Sequence, residues 1–550
     1  MQKNLLWLLL FLTGSICHAQ DITIRYDGAT AKVKQKAKDS VNVNIDGAKV
    51  NIESLYKSHQ LTLRLTGKSD DGLLNLKSAG KVKITLDNLT LTSREGAPIC
   101  LKNKKKVEIA VAKATENTLA ITACNDTANH KAAVIWAKDK VMLSGKGTLN
   151  VIATGDGCRG IKTKKDIVIE DVSLNVTTSG DNLGEKPFDF GGFPGFDGEM
   201  PDFSSFPGFG NDSTQQGGFT MPNFSGGFPG FGNDSTQQDG FTMPNFSGGF
   251  PGFGNDSTRQ GGFPMPNFGG GFPPFGNDST RQGGFPMPNF GGGFPGFGND
   301  STSEGGFPDF GGGFGGKHKY VASTKGIASK GKITINSGNV TVRTSTAGAE
   351  GMEGKEGIVF NGGKVDVFAT DDAINANATI EFNGTHVIAR SSTNDAVDSN
   401  PEGGFFMPFG RNNEQETNPA VIITGGTVYA WSQIGSPEEG LDCDFAPLVI
   451  EGGTIFTIGG GMGEMPSVPT NKTAKQPTVL LIGLDIVKDE PISILDDRGK
   501  VIDTVTIPFS MRRSASLVGS PAFKLGGTYT VKTKGYEKTF TLNEPFTAVR

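Results

Sequence analysis

Carboxylates recur along this chain in one kind of place, the polar corner that follows a pair of short alternating strands. The corners read "TGDGCRGIKT" with Asp156, "AGAEGMEGK" with Glu350 and Glu353, and "TDDAINANA" with Asp371 and Asp372. "TNDAVDSN" follows with Asp395 and Asp398, and "EEGLDCD" with Glu438, Glu439, Asp442 and Asp444. Asp372 and Asp395 are 23 residues apart. If that interval is one turn of a coil, the two stack at the ~4.8 Å spacing of paired strands, where uncompensated like charges are costly. A bound cation removes the cost. The donors are oxygens and no histidine occurs in these corners, which favours Ca²⁺ over zinc or copper. A single acidic corner is also an ordinary solvated turn. The expectation of a metal therefore rests on the repetition from Asp371 through Asp444, with Glu350 and Asp156 as earlier members.

The elements that must position these corners have a regular form. "KITINSGNVTVRTSTAGAEGMEG", "GIVFNGGKVDVFATDDAINAN" and "ATIEFNGTHVIARSSTNDAVDSN" each hold an alternating strand, a tight Gly or Asn turn, a second alternating strand and a longer corner. The turn glycines Gly338, Gly362 and Gly384 are 24 and 22 residues apart; Gly425 follows an insertion at 401–418, and Gly452 lies 27 beyond it. Such a period without a helical pattern predicts a solenoid whose turns stack their strands and share one core. The fold class expected is all-β, a right-handed parallel β-helix, the hand following the rule for parallel crossovers. "KVKITLDNLTLTS" reads as an early rung. From Thr478 onward the pattern becomes antiparallel hairpins, predicting a small β-sandwich-like cap over 478–550 that covers the solenoid's open end.

Two segments stand outside this pattern. Residues 1–19 combine Lys3, an apolar run and small residues before Ala19, which reads as a signal peptide; Ile16 before Cys17 argues against lipid attachment. An exported protein is expected, extracellular, cell-surface or periplasmic, with no later run long enough to span a membrane. Residues 187–316 repeat with a period of 22 and contain 26 of the 39 phenylalanines. Gly and Pro at this density, with almost no aliphatic residues, predict a disordered Gly/Phe/Pro-rich insert between the two parts of the solenoid, 20–186 and 317–477. Its exposed rings suit self-association or surface adhesion. Its Asp-Ser-Thr triplets resemble an O-glycosylation acceptor motif, with Ser213, Ser235, Ser257, Ser279 and Ser301 as acceptors. The net charge of -5 is spread over both signs, which gives no electrostatic footprint for nucleic acid. Outside the leader the cysteines are Cys100, Cys124, Cys158 and Cys443, too few for a disulfide framework. The spacing of Cys100 and Cys124 would stack them on neighbouring rungs, as single thiols or as one bridge.

The combination "GDGCRGIKT... ITINSGNVTV... ATDDAINAN... ITGGTVYA" resembles a family of secreted bacterial carbohydrate-binding domain-containing proteins with a pectate-lyase-like β-helix. The resemblance covers roughly Leu61 to Gly461 without the insert. It implies calcium sites in the corners and binding of plant-type or acidic polysaccharide. Cys158-Arg159 departs from the family's Gly-Asp-Gly-Ile pattern, which weakens the site at Asp156. Three functions follow. The first is a non-catalytic, calcium-dependent carbohydrate-binding protein, with Tyr429 and Trp431 as candidate sugar-stacking rings, although one ring of "GGTVYAWS" is expected to point inward. The second is a lyase acting on uronic-acid polymers, which needs a cation and a base; Lys355 and Arg390 lie within a rung of the acidic corners, yet no motif sets either over a metal. The third is a structural or adhesive protein that calcium only rigidifies. The recurrence of carboxylates without a recurring base favours the first, so no catalytic residue is assigned.

Overall fold

The computed structural model describes residues 21–36, 40–124, 131–185, 320–401, 418–444, 446–460 and 466–550. Residues 1–19, read above as a signal peptide, the 187–316 repeat segment and its five candidate serines lie outside them.

The described chain is all-β, and its strands fall into three stacked columns that form the walls of a coil. In a typical turn, Ile333–Ile335 belongs to the first wall, Asn339–Thr344 to the second and Glu350–Gly354 to the third. Each strand pairs in parallel with its counterpart one turn on: Ile333 with Ile358, Val340 with Val365, Met352 with Ile374. The third wall is a separate 11-stranded sheet. The first two are joined in one hydrogen-bonded set because Val82–Ser93 serves both: Val82 pairs with Val107 while Ser93 pairs with Ile121. Asn88, in the left-handed region at φ 52°, bends that strand around the corner, a conformation Asn tolerates better than most residues. This architecture is the parallel β-helix anticipated from the repeat.

Alternation explains the core. Val340, Val365, Val387, Val428 and Ile455 occupy one register position on successive turns, and all are buried. Phe360 and Phe382, likewise one rung apart, stack with centroids 5.0 Å apart and planes 3° from parallel. At the tight turns the left-handed conformation falls on Gly338, Gly363, Gly426 and Gly453, so at several rungs it is the second residue of the Gly-Gly pair that needs to be glycine. A Cβ at Gly363 would lie 2.3 Å from the Gly338 carbonyl oxygen. Beside these turns runs an amide ladder: Asn361 donates to Asn336 and Asn383 to Asn361, each at 3.0 Å.

The third wall packs its small residues against the second. A Cβ on Gly160, Gly326 or Gly351 would strike Val176, Val342 or Val367 at 2.3–2.4 Å. One rung on, Ala373 occupies the Gly351 position and Ala389 the Val367 position. Volume is thus conserved across the core, with Gly opposite Val and Ala opposite Ala. Gly351→Ala should cost about 1–3 kcal/mol through overpacking, and adding Val367→Ala should recover part of the loss; denaturant melts of the two variants measure both.

Additional strands cap both ends of the coil. Ile22–Asp27 and Lys49–Ser54 pair in parallel with the first coil strands and each carries an antiparallel partner, Thr30–Gln35 and Val41–Asp46. At the other end Met511–Gly519 runs antiparallel to Thr454–Ile458 and to Thr478–Ile486. A four-stranded antiparallel sheet completes the C-terminal part, with its own core of Val479, Ile492, Val531 and Phe540. At the C-terminal end Met511–Gly519 covers the last strand of the second wall, whereas the third wall ends at Leu441–Asp442. Pairing of an edge in this way limits the exposed strand that an open solenoid would present.

Candidate functional site

The third wall carries the charge. Its strands repeat a four-residue unit: Arg159-Gly160-Ile161-Lys162, Lys325-Gly326-Ile327-Ala328, Glu350-Gly351-Met352-Glu353, Asp372-Ala373-Ile374-Asn375, Asp395-Ala396-Val397-Asp398 and Glu439-Gly440-Leu441-Asp442. Hydrophobic third residues enter the core. The first and fourth residues form two columns. Lys325 is in register with Glu350. Backbone bonds from Gly351 to Asp372, Ala373 to Asp395 and Ala396 to Glu439 carry the first column onward. The second runs Lys162, Ala328, Glu353, Asn375, Asp398, Asp442. Over these six rungs the wall is therefore basic at first and acidic beyond.

Within it, side-chain oxygens of Glu350, Asp371 and Asp372 all lie within 4.8 Å of one another. Oxygens bound to one Ca²⁺ at 2.3–2.6 Å can be no further apart than about 5 Å, so these residues fit a shared cation. All donors in the cluster are carboxylate oxygens, the preference of a hard ion. Neighbouring amides hold them in place. Asn394 donates to Asp371 at 2.7 Å, and Asn375 bridges Asp372 at 2.9 Å and Asp398 at 3.3 Å. Lys325 lies 2.9 Å from Glu350 and 2.7 Å from Glu353, and Lys355 is 2.7 Å from Glu353.

Burial makes the charges expensive. Asp372 is fully buried and Asp395, Asp398, Glu353 and Glu439 nearly so. Burial, then Asp442, Asp372 and Asp398, push the Asp395 carboxyl well above its usual range. Burial and then Asp442 push Glu439 up to about 8, against the amide and hydroxyl of Ser467 that favour its ionised form. Glu350 is raised by burial despite Lys325, with Glu353 and Asp371 adding to the rise. Glu353 goes the other way: burial opposes ionisation, but Lys325 and Lys355 hold it below the carboxylate range. Part of the wall is thus compensated by lysines, Lys325 and Lys355 against Glu350 and Glu353.

The other expected residues distribute as follows. Glu438 belongs to the corner before Glu439. Asp444, at φ 42°, donates its backbone N–H to Asp442 at 3.0 Å in a local turn. Asp156 is out of phase with the metal cluster. Its carboxylate accepts the Asp181 backbone N–H at 3.0 Å, and the positions equivalent to Asp371 and Asp372 in its rung are Cys158 and Arg159. Lys355 is engaged by Glu353 and by Asn377. Arg390 lies on the second wall, 3.4 Å from Asp366 and 5.2 Å from the Phe368 ring centre, so the two candidate bases do not converge. The expectation that one of Tyr429 and Trp431 points inward is corrected: both stand on the outer side of the second wall, 5.7 Å apart and stacked. Trp431 is 4% exposed because the C-terminal core, including Phe456 and Phe509, covers it, so its ring is a packing residue. Sequence reasoning missed the basic rungs; the four-residue phase, once aligned, would have revealed Arg159, Lys162 and Lys325. Burial and then Arg159 and Lys330 push the Lys162 ammonium down to about 7.

Among the described residues no helix is long and apolar enough to cross a membrane. Residues 46–186 and 299–399 match the family model of carbohydrate-binding domain-containing proteins, in agreement with the resemblance read from the sequence. A carbohydrate-binding domain-containing protein of Acetivibrio thermocellus is 28% identical over 145 residues, which are 25% of this chain. The chain spans 50% of that relative's length. Among solved structures, a polysaccharide lyase-like protein from C. thermocellum, determined as a gadolinium derivative, is similar over 69% of this chain and 92% of its own, at 14% identity and a TM-score of 0.35.

Proposed function

We propose that this chain, which belongs to the carbohydrate-binding domain-containing family over residues 46–186 and 299–399, is an exported, non-catalytic protein that binds acidic polysaccharide through calcium held on its third wall. The observation that carries the reading is the convergence of Glu350, Asp371 and Asp372 inside the matched segment, continued on successive rungs by Asp395, Asp398, Glu439 and Asp442. A calcium ion there would be held by these carboxylates and would offer its remaining positions to uronate carboxylates or hydroxyls. Columns that repeat with the coil suit a polymer that repeats along its length. Binding of immobilised polygalacturonate, measured in calcium and in chelator, tests this: retention in calcium and release in chelator are expected, and equal retention in both would overturn it.

The lyase reading has the weaker geometry, since Arg390 and Lys355 are on different walls and both are paired. An assay for unsaturated uronides should stay at background with or without calcium. Product formation that Lys355→Ala abolishes would replace the binding reading with the catalytic one.

A further inference from the structure

The cysteine pair that the coil brings together is not the pair suggested by spacing. Cys100 is in register with Asn75 and Trp136 and clusters with Ala97, Ala133 and Trp136. Cys124 instead approaches Cys158. Their two corners are in contact: Thr154 and Gly155 both donate to the Ile121 carbonyl, at 3.0 and 3.4 Å, and a Cβ on Gly155 would lie 3.0 Å from the Ala123 Cα. Cys158 is fully buried in the main core, and Cys124 packs against that same core from the half-exposed side. The Cys124 thiol is the foremost group acting on Cys158 and, ahead of burial, pushes its thiol up. In the coil Cys158 holds the position that Asp371 holds in the metal rung, so a sulfur pair stands where the later corners carry carboxylates.

We propose that Cys124 and Cys158 form a disulfide in an oxidising compartment, clipping two successive corners together. The bond forms by exchange with a small-molecule or protein disulfide. Cys124, the more accessible sulfur, attacks as thiolate, displaces one thiol of the donor and forms a mixed disulfide. Cys158 then loses its proton and attacks the Cys124 sulfur, displacing the second thiol. Two protons and two electrons leave the cysteines, and the donor disulfide becomes two thiols. The order follows from the environment: contact with Cys124 and burial hold Cys158 protonated. The clip closes a loop that contains the Ala133–Ala137 strand with Trp136 and fixes the corner immediately before Arg159 and Lys162. It thereby anchors the rung of the third wall that carries Arg159 and Lys162. Constraining that loop in the unfolded chain is the source of the stabilisation.

Peptide mapping of the full chain tests the assignment. The protein is equilibrated with oxidised glutathione, alkylated in denaturant without reductant, and digested. The Cys124 and Cys158 peptides are expected as one linked species, lighter than the two thiol peptides together by two hydrogens, with Cys100 and Cys443 alkylated. Alkylation of all four, or a link from Cys124 to Cys100, overturns the proposal. Thermal melts test the clip without depending on a core substitution: reductant should lower the wild-type midpoint and leave Cys124→Ser unmoved. A linked wild type whose midpoint ignores reductant overturns the stabilising role.

Discussion

Calcium should raise the stability of the wild-type protein and chelator should remove the gain, whereas Asp371→Asn/Asp372→Asn should respond much less to either. An ion that binds only the folded state stabilises it by about 2.7 kcal/mol at a hundredfold excess over its Kd. The substitutions keep shape and hydrogen-bonding capacity and delete the charge of two members of the Glu350–Asp371–Asp372 cluster. They should also act with opposite sign in chelator. There the wild type carries a fully buried aspartate beside other carboxylates, so the neutral variant should melt at a higher temperature than the wild type. In calcium the order should reverse. Scanning calorimetry of both proteins in both conditions gives four midpoints, and parallel responses to calcium would remove the metal from the cluster. Polygalacturonate affinity separates the functions: its loss in the variant supports binding through the metal, and its persistence would leave calcium a purely stiffening role.

Without metal, stability should fall as pH rises from about 4 to about 8. Glu439 is pushed up to about 8 and Asp395 is raised well above its usual range, both chiefly by burial and then by neighbouring carboxylates, whereas unfolded carboxyls titrate near 4. Across that interval the folded state holds protons that the unfolded state has lost. The slope of unfolding free energy with pH is therefore negative. Below about 4 both states are protonated and these groups contribute nothing; above about 8 the share of Glu439 is complete. The total is on the order of a few kcal/mol. Calcium should flatten the profile, because a bound cation favours the ionised form, and its uptake near neutral pH should release protons. Chelated protein melted at intervals from pH 4.5 to 7 measures the slope, stopping before the range above about 7 in which Lys162 adds a slope of opposite sign. A stability that rises from pH 4.5 to 7 would contradict the assignment of buried, proton-holding carboxylates to this wall.

The coil was legible in the sequence because its signal is local and repeated. Alternating Val and Ile flanking a Gly turn every 22 to 27 residues can satisfy strand pairing and burial together only by stacking. The recurrence of Asp371, Asp372, Asp395 and Asp398 was legible for the same reason, but what read as a corner holds a third strand, and Asp398 lies on it. Phase within a rung was not, since corner lengths vary. Asp156 and Asp371 occupy similar-looking corners, yet only strand register shows that Cys158 and Arg159, not Asp156, stand at the metal positions. The same register set Lys325 beneath Glu350 and turned an acidic column into one with a basic beginning. Partners across walls were equally hidden. Trp431 is an outward residue of its strand, and only the docking of the C-terminal part, with Phe509 against its ring, made it core. Cys124 met Cys158 rather than Cys100 because the two corners, 34 residues apart in sequence, lie on adjacent turns of the coil. Spacing determines which residues share a turn of the coil. Which of them touch depends on corner length and on what covers each wall, and those are properties of the packed chain.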